Sequence, residues 1–262
     1  MAVACPAEFE ELLSAEGRKI LAGTHPLCGA LLVPGKRFTA SLGLIDPRKA
    51  ERLRRALEKT LLPLLEEMAQ PIPPQTLTDM TENYGELLPK TARVRTAYLD
   101  HPRARAFRAA EAMGLTTLLR SQSLVAFAAA VCGRRLRPRG GMQVLCYTPG
   151  DYAGPHNDHH PEDPEAAGGY TDVHLTLCGP AVAHQYLVYA RRGHLSEVWD
   201  VATLGGVTVY RLPFWHYTTP LVARPGQEGA ARRWVLLGTY LDAPPRARRA
   251  IAPPPGVKAP AD

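Results

Sequence analysis

The chain has 262 residues, 45% hydrophobic and 21% charged, which is enough for one domain with a sizeable core and ordinary for a soluble globular protein. Of its net charge of +6, residues 243–262 carry +3 and the other 242 residues share the rest, a spread that speaks against a nucleic-acid-binding face. Five cysteines at 5, 28, 132, 146 and 178 with no CxxC exclude a disulfide framework and a zinc–cysteine site, and fit reduced thiols.

The amino-terminal stretch MAVACPAEFEELLSAEGRK turns acidic early and lacks the basic start and apolar run of a signal peptide. No stretch is expected to reach the length of a membrane span. The longest apolar run, Leu124 to Cys132, reads as a buried helix segment. The expected location is cytoplasmic, with no membrane partner.

Helical patterns dominate residues 1–135, which read as a helical support region. Phe9 to Leu21 and Pro47 to Ala69 place apolar residues three and four apart with charges between them. Asp46-Pro47 supplies a cap and a first-turn proline, and Pro63 is expected to kink or split the second helix. Gln70 to Asp100, rich in Pro and Thr, reads as an irregular connection. Arg103 to Met113 and Thr116 to Val131 read as two more helices, parted by Gly114 and stopped at Cys132-Gly133.

From 136 to 242 strand follows strand. The candidates are Met142 to Tyr147, Tyr152 to Asp158, Asp172 to Leu177, Gln185 to Ala190, Leu195 to Val198, Val207 to Leu212, His216 to Val222 and Trp234 to Leu241, parted by turns such as Thr148-Pro149-Gly150-Asp151. Eight short strands behind a helical prefix predict a mainly β fold, a double-stranded β-helix (jelly-roll) barrel buttressed by amino-terminal helices. Residues 243–262, rich in Pro, Ala and Arg, cannot build a core and read as a flexible tail.

The chemistry concentrates in His156-Asn157-Asp158, His216 and Arg233. In an extended strand, residues two apart share a face, so His156 and Asp158 are expected to reach one metal together, with His216 arriving from another strand. Two imidazoles and a carboxylate that leave coordination positions open form the ligand set of a non-haem Fe(II) site. Seven of the nine histidines lie between 156 and 216, so each alone is more readily a core or rim residue. His174 is the chief rival ligand, His159 and His160 are expected at the mouth of the site, and His184 and His194 look like strand-end residues. Alternation places Arg233, Val235, Leu237 and Thr239 on one face as a pocket wall and turns Arg232 away.

The segment from Cys146 through Tyr147, Thr148, Pro149, Gly150 and Asp151 to His156 and Asp158 resembles the entry to the barrel of Fe(II)/2-oxoglutarate-dependent dioxygenases, in particular the prolyl-4-hydroxylase-like branch. The stretch Gly206 to Tyr210, then His216, then Arg233 to Asp242, is similar to that family's distal half. The resemblance covers roughly 142 to 242. It implies Fe(II) on His156, Asp158 and His216, and 2-oxoglutarate as co-substrate with its distal carboxylate on Arg233. Tyr147 would lie near that carboxylate, with strand packing in the core as its equal alternative, and Thr176 would offer a hydroxyl to it. The resemblance also implies O2 as oxidant, ascorbate in a supporting role, and hydroxylation of an unactivated C–H in a small-molecule, amino-acid or peptidyl substrate with release of succinate and CO2. Two departures stand out. Residues 223–229 lengthen the interval between His216 and Arg233, and Thr239 stands where the nucleic-acid demethylase branch has a second Arg, which makes a nucleic-acid substrate a poor fit. Asp158 occupies the position that halogenating relatives leave small. Two other classes compete: a cupin-like zinc or iron isomerase or hydrolase, which would not need Arg233, and a non-catalytic binding protein that keeps the fold. Arg191-Arg192, with His159 and His160, are expected in loops around the substrate. The sequence carries no signal for the oligomeric state.

Overall fold

The computed structural model describes residues 5–70, 91–158, 164–166, 169–191 and 194–243. His159, His160, Arg192 and the tail beyond Ala243 lie outside the described residues, as does most of the expected connection between 70 and 100.

Helix α1 (Ala15–Leu21) starts where Ser14 accepts a hydrogen bond from the Gly17 amide, so the expected single helix from Phe9 is instead a 3-10 turn, Phe9–Leu12, and a separate short helix. Strand β1 (Phe38–Ser41) follows, then α2 (Pro47–Thr60), capped by Asp46, whose carboxylate accepts from the amides of Arg48 and Lys49. Helix α2 stops at Thr60, not at Ala69. Pro63 has no amide to donate and cannot continue the α-helical ladder, so Leu62–Leu64 form a 3-10 turn and Glu66–Gln70 extend as β2. Strand β2 pairs with β3 (Ala92–Tyr98), in which Ala92, Val94 and Thr96 are buried while Arg93 and Arg95 face out. That two-residue alternation was legible in the sequence but was absorbed into the expected irregular connection.

Helices α3 (Arg105–Ala112), α4 (Leu115–Leu119) and α5 (Gln122–Cys132) complete the helical layer. Ser121 caps α5 by accepting from the Leu124 amide, and this divides the single helix expected there; Gly133 ends it in the left-handed region, at φ +70°. The 18-residue stretch Leu115–Cys132, mean hydropathy 1.4, is long and apolar enough by composition to cross a membrane, contrary to expectation, and 56% of it is buried within the fold.

The remaining strands are β4 (Leu136–Tyr147), β5 (Tyr152–His156), β6 (Tyr170–Cys178), β7 (Val182–His184), β8 (Tyr186–Arg191), β9 (His194–Asp200), β10 (Leu204–Leu212), β11 (His216–Thr218), β12 (Val222–Ala223) and β13 (Arg233–Asp242). One layer runs β1-β10-β6-β13-β4-β3 and the other β5-β11-β8-β9, joined because β3 pairs with both β4 and β5. In chain order β4, β5, β6, β8, β10, β11 and β13 alternate between these layers, β9 pairs beside β8 in the smaller one, and the pairings are antiparallel. This is the jelly-roll architecture that the sequence predicts.

The larger layer is two-faced, and its two faces explain the rest. On its outer side Trp234, Leu236 and Tyr240 of β13, Val144 of β4, Val173 and Leu175 of β6 and Val209 of β10 join Phe9, Leu57, Phe127 and Val131 in the main hydrophobic core. On its inner side the same strands present Arg233, Val235, Leu237, Thr239, Gln143, Tyr147, Asp172 and His174 to a cavity of about 920 Å³. Strand pleating alone sends each residue to core or cavity. Trp234 is fully buried where helices meet sheet. Trp234→Ala is therefore expected to lower unfolding free energy by about 3–5 kcal/mol, the usual cost of emptying a large aromatic site; a denaturant midpoint unchanged from wild type would contradict this packing.

Candidate metal centre

His156 ends β5 and His216 begins β11, and the two are direct partners across the antiparallel pair. Their rings lie 4.2 Å apart between centroids. Both side chains are held in the same way. The Nδ1 of His156 lies 2.6 Å from the Gly154 carbonyl, and the Nδ1 of His216 lies 2.9 Å from the Phe214 carbonyl. A carbonyl can only accept, so each Nδ1 carries the proton and each Nε2 offers a lone pair, as in protein metal sites whose ligand histidines are fixed from behind. Gly154 is glycine for a reason: a Cβ there would collide with the Thr91 side chain beside the Thr91 carbonyl that its own amide bonds at 2.7 Å.

Asp158 completes the cluster by a route that the strand argument did not foresee. Strand β5 ends at His156, and Asp158 sits past it with φ +51°, the left-handed region. Aspartate tolerates that conformation better than most side chains. The Tyr170 hydroxyl donates to the Asp158 main-chain carbonyl at 2.8 Å and braces the turn. The carboxylate Oδ2 thereby comes 3.3 Å from His156 Nε2 and 3.6 Å from His216 Nε2. A metal about 2.1 Å from each ligand with bonds near right angles sets donor atoms roughly 3 Å apart, so the donor set fits one ion. The three donor atoms lie within 4.8 Å of one another, and theirs is the cluster of this kind among the described residues.

His174 is not in that cluster. It faces the same cavity from β6, its ring edge-on to Tyr210 at 4.4 Å, and Tyr210 in turn stacks on His216 at 5.7 Å. Burial pushes the Tyr210 phenol well above its ordinary range, so it stays protonated beside the cluster. His184 packs against Tyr186 with the rings 5.2 Å apart and tilted by 31°. The five cysteines are free thiols, and burial pushes Cys146 and Cys178 up to about 12, which keeps them neutral.

Arg233, 3% exposed, lines the same cavity. Its Nη1 donates to Gln185 Oε1 at 2.9 Å and its Nη2 to Thr176 Oγ1 at 3.4 Å. The guanidinium carbon lies 5.2 Å from the centre of the Tyr147 ring, within cation–π range. Its Nε is buried with no partner among the described residues. Tyr147 and Thr176, singled out from the sequence, thus both flank Arg233. Tyr147 is also buried in a small apolar cluster, the core packing that was its alternative reading. Arg232 is the next residue along, and it does not line the cavity. Sequence reasoning missed Gln185, an amide in an apolar run, and Tyr170, whose hydroxyl bonds a carbonyl 12 residues away.

No protein-family model matches the chain, and no curated protein does. Solved structures similar to it include a Pseudomonas putida prolyl-4-hydroxylase, 12% identical, covering 82% of this chain and 99% of that one with a TM-score of 0.46. Another is a 2OG-Fe(II) oxygenase-family oxidoreductase from Burkholderia pseudomallei, 16% identical, covering 75% and 91% with a TM-score of 0.43. A third is the viral collagen prolyl hydroxylase of Paramecium bursaria Chlorella virus-1, 10% identical, covering 80% and 98% with a TM-score of 0.42.

The donor geometry makes a direct prediction. His156→Ala, Asp158→Ala and His216→Ala should each weaken Fe(II) or Co(II) binding severely in calorimetric titration, while His174→Ala keeps it. Loss of binding in His174→Ala with retention in His216→Ala would reassign the ligands.

Proposed function

We propose that this chain is an Fe(II)- and 2-oxoglutarate-dependent oxygenase that hydroxylates an unactivated C–H of a small-molecule, amino-acid or peptidyl substrate and releases succinate and CO2. The observation that carries this reading is Arg233. A guanidinium buried to 3% exposure, with only neutral groups as its hydrogen-bond partners among the described residues, faces the same cavity as the His156–Asp158–His216 cluster. A buried charge is costly unless paired, and an anionic ligand supplies the pair. A cupin-like isomerase or hydrolase needs the cluster but gives no role to this cation.

On this reading His156, Asp158 and His216 hold Fe(II), which when bound supplies O2 activation coupled to oxidation of the 2-oxo acid. The chain's own residues do the rest. Arg233 receives the distal carboxylate of 2-oxoglutarate through its planar fork, a geometry that lysine cannot copy. Tyr147 and Val235 wall the cavity beside it, and Thr176 keeps the guanidinium turned inward. Tyr210, neutral and buried, packs beside His216 without adding charge to the site. The rest of the cavity, towards Tyr98, Gln143 and Thr239, is left for the substrate.

The test is turnover of 2-oxoglutarate to succinate with Fe(II) and ascorbate, screened against amino acids and peptides. Arg233→Ala should raise the KM for 2-oxoglutarate well over tenfold, since truncating one partner of a buried charge pair costs on the order of 2–5 kcal/mol. Arg232→Ala should leave it nearly unchanged. Equal effects, or turnover that ignores 2-oxoglutarate, would overturn the proposal.

A further inference from the structure

Gln185 is 0% exposed and sits just before β8. Its side-chain amide uses both N–H donors and one lone pair of its oxygen. The Nε2 donates to the Asp151 carbonyl at 3.2 Å and to the Thr219 carbonyl at 2.9 Å, while Oε1 accepts from Arg233 Nη1 at 2.9 Å. A primary amide has two N–H donors and one acceptor oxygen, so these three bonds also fix which way it points. Reversed, its oxygen would face two carbonyl oxygens and its NH2 would face a cation.

The two carbonyls come from significant places. Asp151 immediately precedes β5, which ends in His156, and Thr219 immediately follows β11, which begins at His216. Asp151 is itself locked, its carboxylate accepting from the Thr148 amide and hydroxyl and from Arg93 Nε. Gln185 therefore ties the backbones that carry the two histidines to the Arg233 guanidinium, which lines the same cavity. We infer that Gln185 is a positioning residue that holds Arg233 at a fixed reach from the metal cluster and so sets the grip on the distal carboxylate of the co-substrate. It touches neither metal nor reacting atoms.

This inference rests on the proposed function, and the experiment separates the two. Mn(II)-loaded protein is titrated anaerobically with 2-oxoglutarate and with 2-oxopentanoate, which keeps the 2-oxo acid but replaces the distal carboxylate by a methyl group. Gln185→Leu should weaken 2-oxoglutarate binding by about tenfold or more, the scale of a lost hydrogen bond to a charged group. It should leave 2-oxopentanoate and Mn(II) affinities within about twofold, because neither ligand engages Arg233. Gln185→Met, unbranched and similar in length, gives the same test if the leucine variant does not fold. A variant that weakens both 2-oxo acids and the metal alike has lost structure, not grip, and overturns the inference, as does one that changes nothing while Arg233→Ala weakens 2-oxoglutarate. If Arg233→Ala itself leaves 2-oxoglutarate binding intact, the proposed function fails first.

Discussion

The inner face of the barrel is organised around a positive charge that has been taken out of water. Arg233 sits at the start of β13, on a strand whose alternate residues Trp234 and Leu236 are sealed into the helical core. The pleat leaves it nowhere to go but the cavity. Its partners Gln185 and Thr176 stabilise the guanidinium by hydrogen bonding but bring no negative charge, and it has no anionic partner among the described residues. Removing an ion from water without a counter-ion costs several kcal/mol even after relaxation. A fold that keeps such a charge fits one built to receive an anion at that point.

The cluster that shares this cavity is built from negative and neutral donors. Two histidines, each locked through Nδ1 by a carbonyl two residues upstream, turn their Nε2 atoms towards one carboxylate oxygen. Their orientation is set by the ends of β5 and β11 and by the Tyr170 brace on Asp158, so the ligands need little rearrangement to meet an ion. Cation-seeking and anion-seeking groups thus face one cavity from the smaller and the larger layer, with apolar Leu145, Val235 and Leu237 among its walls.

Much of this arrangement was legible in the sequence, and the exceptions have physical causes. His156, Asp158, His216 and Arg233 stand out because period-two spacing and residue chemistry coincide at them, and alternation separated Arg233 from Arg232. The reason given for Asp158 was wrong in detail, because the strand stops at His156 and a left-handed residue delivers the carboxylate. A single residue of unusual φ leaves no mark on a periodicity. Gln185 was invisible since its role depends on three backbones remote in sequence meeting around one amide. Strand β3 carried a readable alternation, yet the Pro- and Thr-rich residues before it masked the change of period. The helices from Phe9 and from Thr116 were placed correctly but drawn too long, because Ser14 and Ser121 act as caps inside otherwise periodic stretches.

The central claim is spatial: one small dicarboxylate spans the metal cluster and the buried arginine. Diffraction from crystals grown without oxygen in Mn(II) and 2-oxoglutarate tests it most directly. The account predicts a metal ion ligated by His156, Asp158 and His216, with the co-substrate's distal carboxylate on the Arg233 guanidinium. A metal held instead through His174, or a dicarboxylate bound away from Arg233, would contradict it.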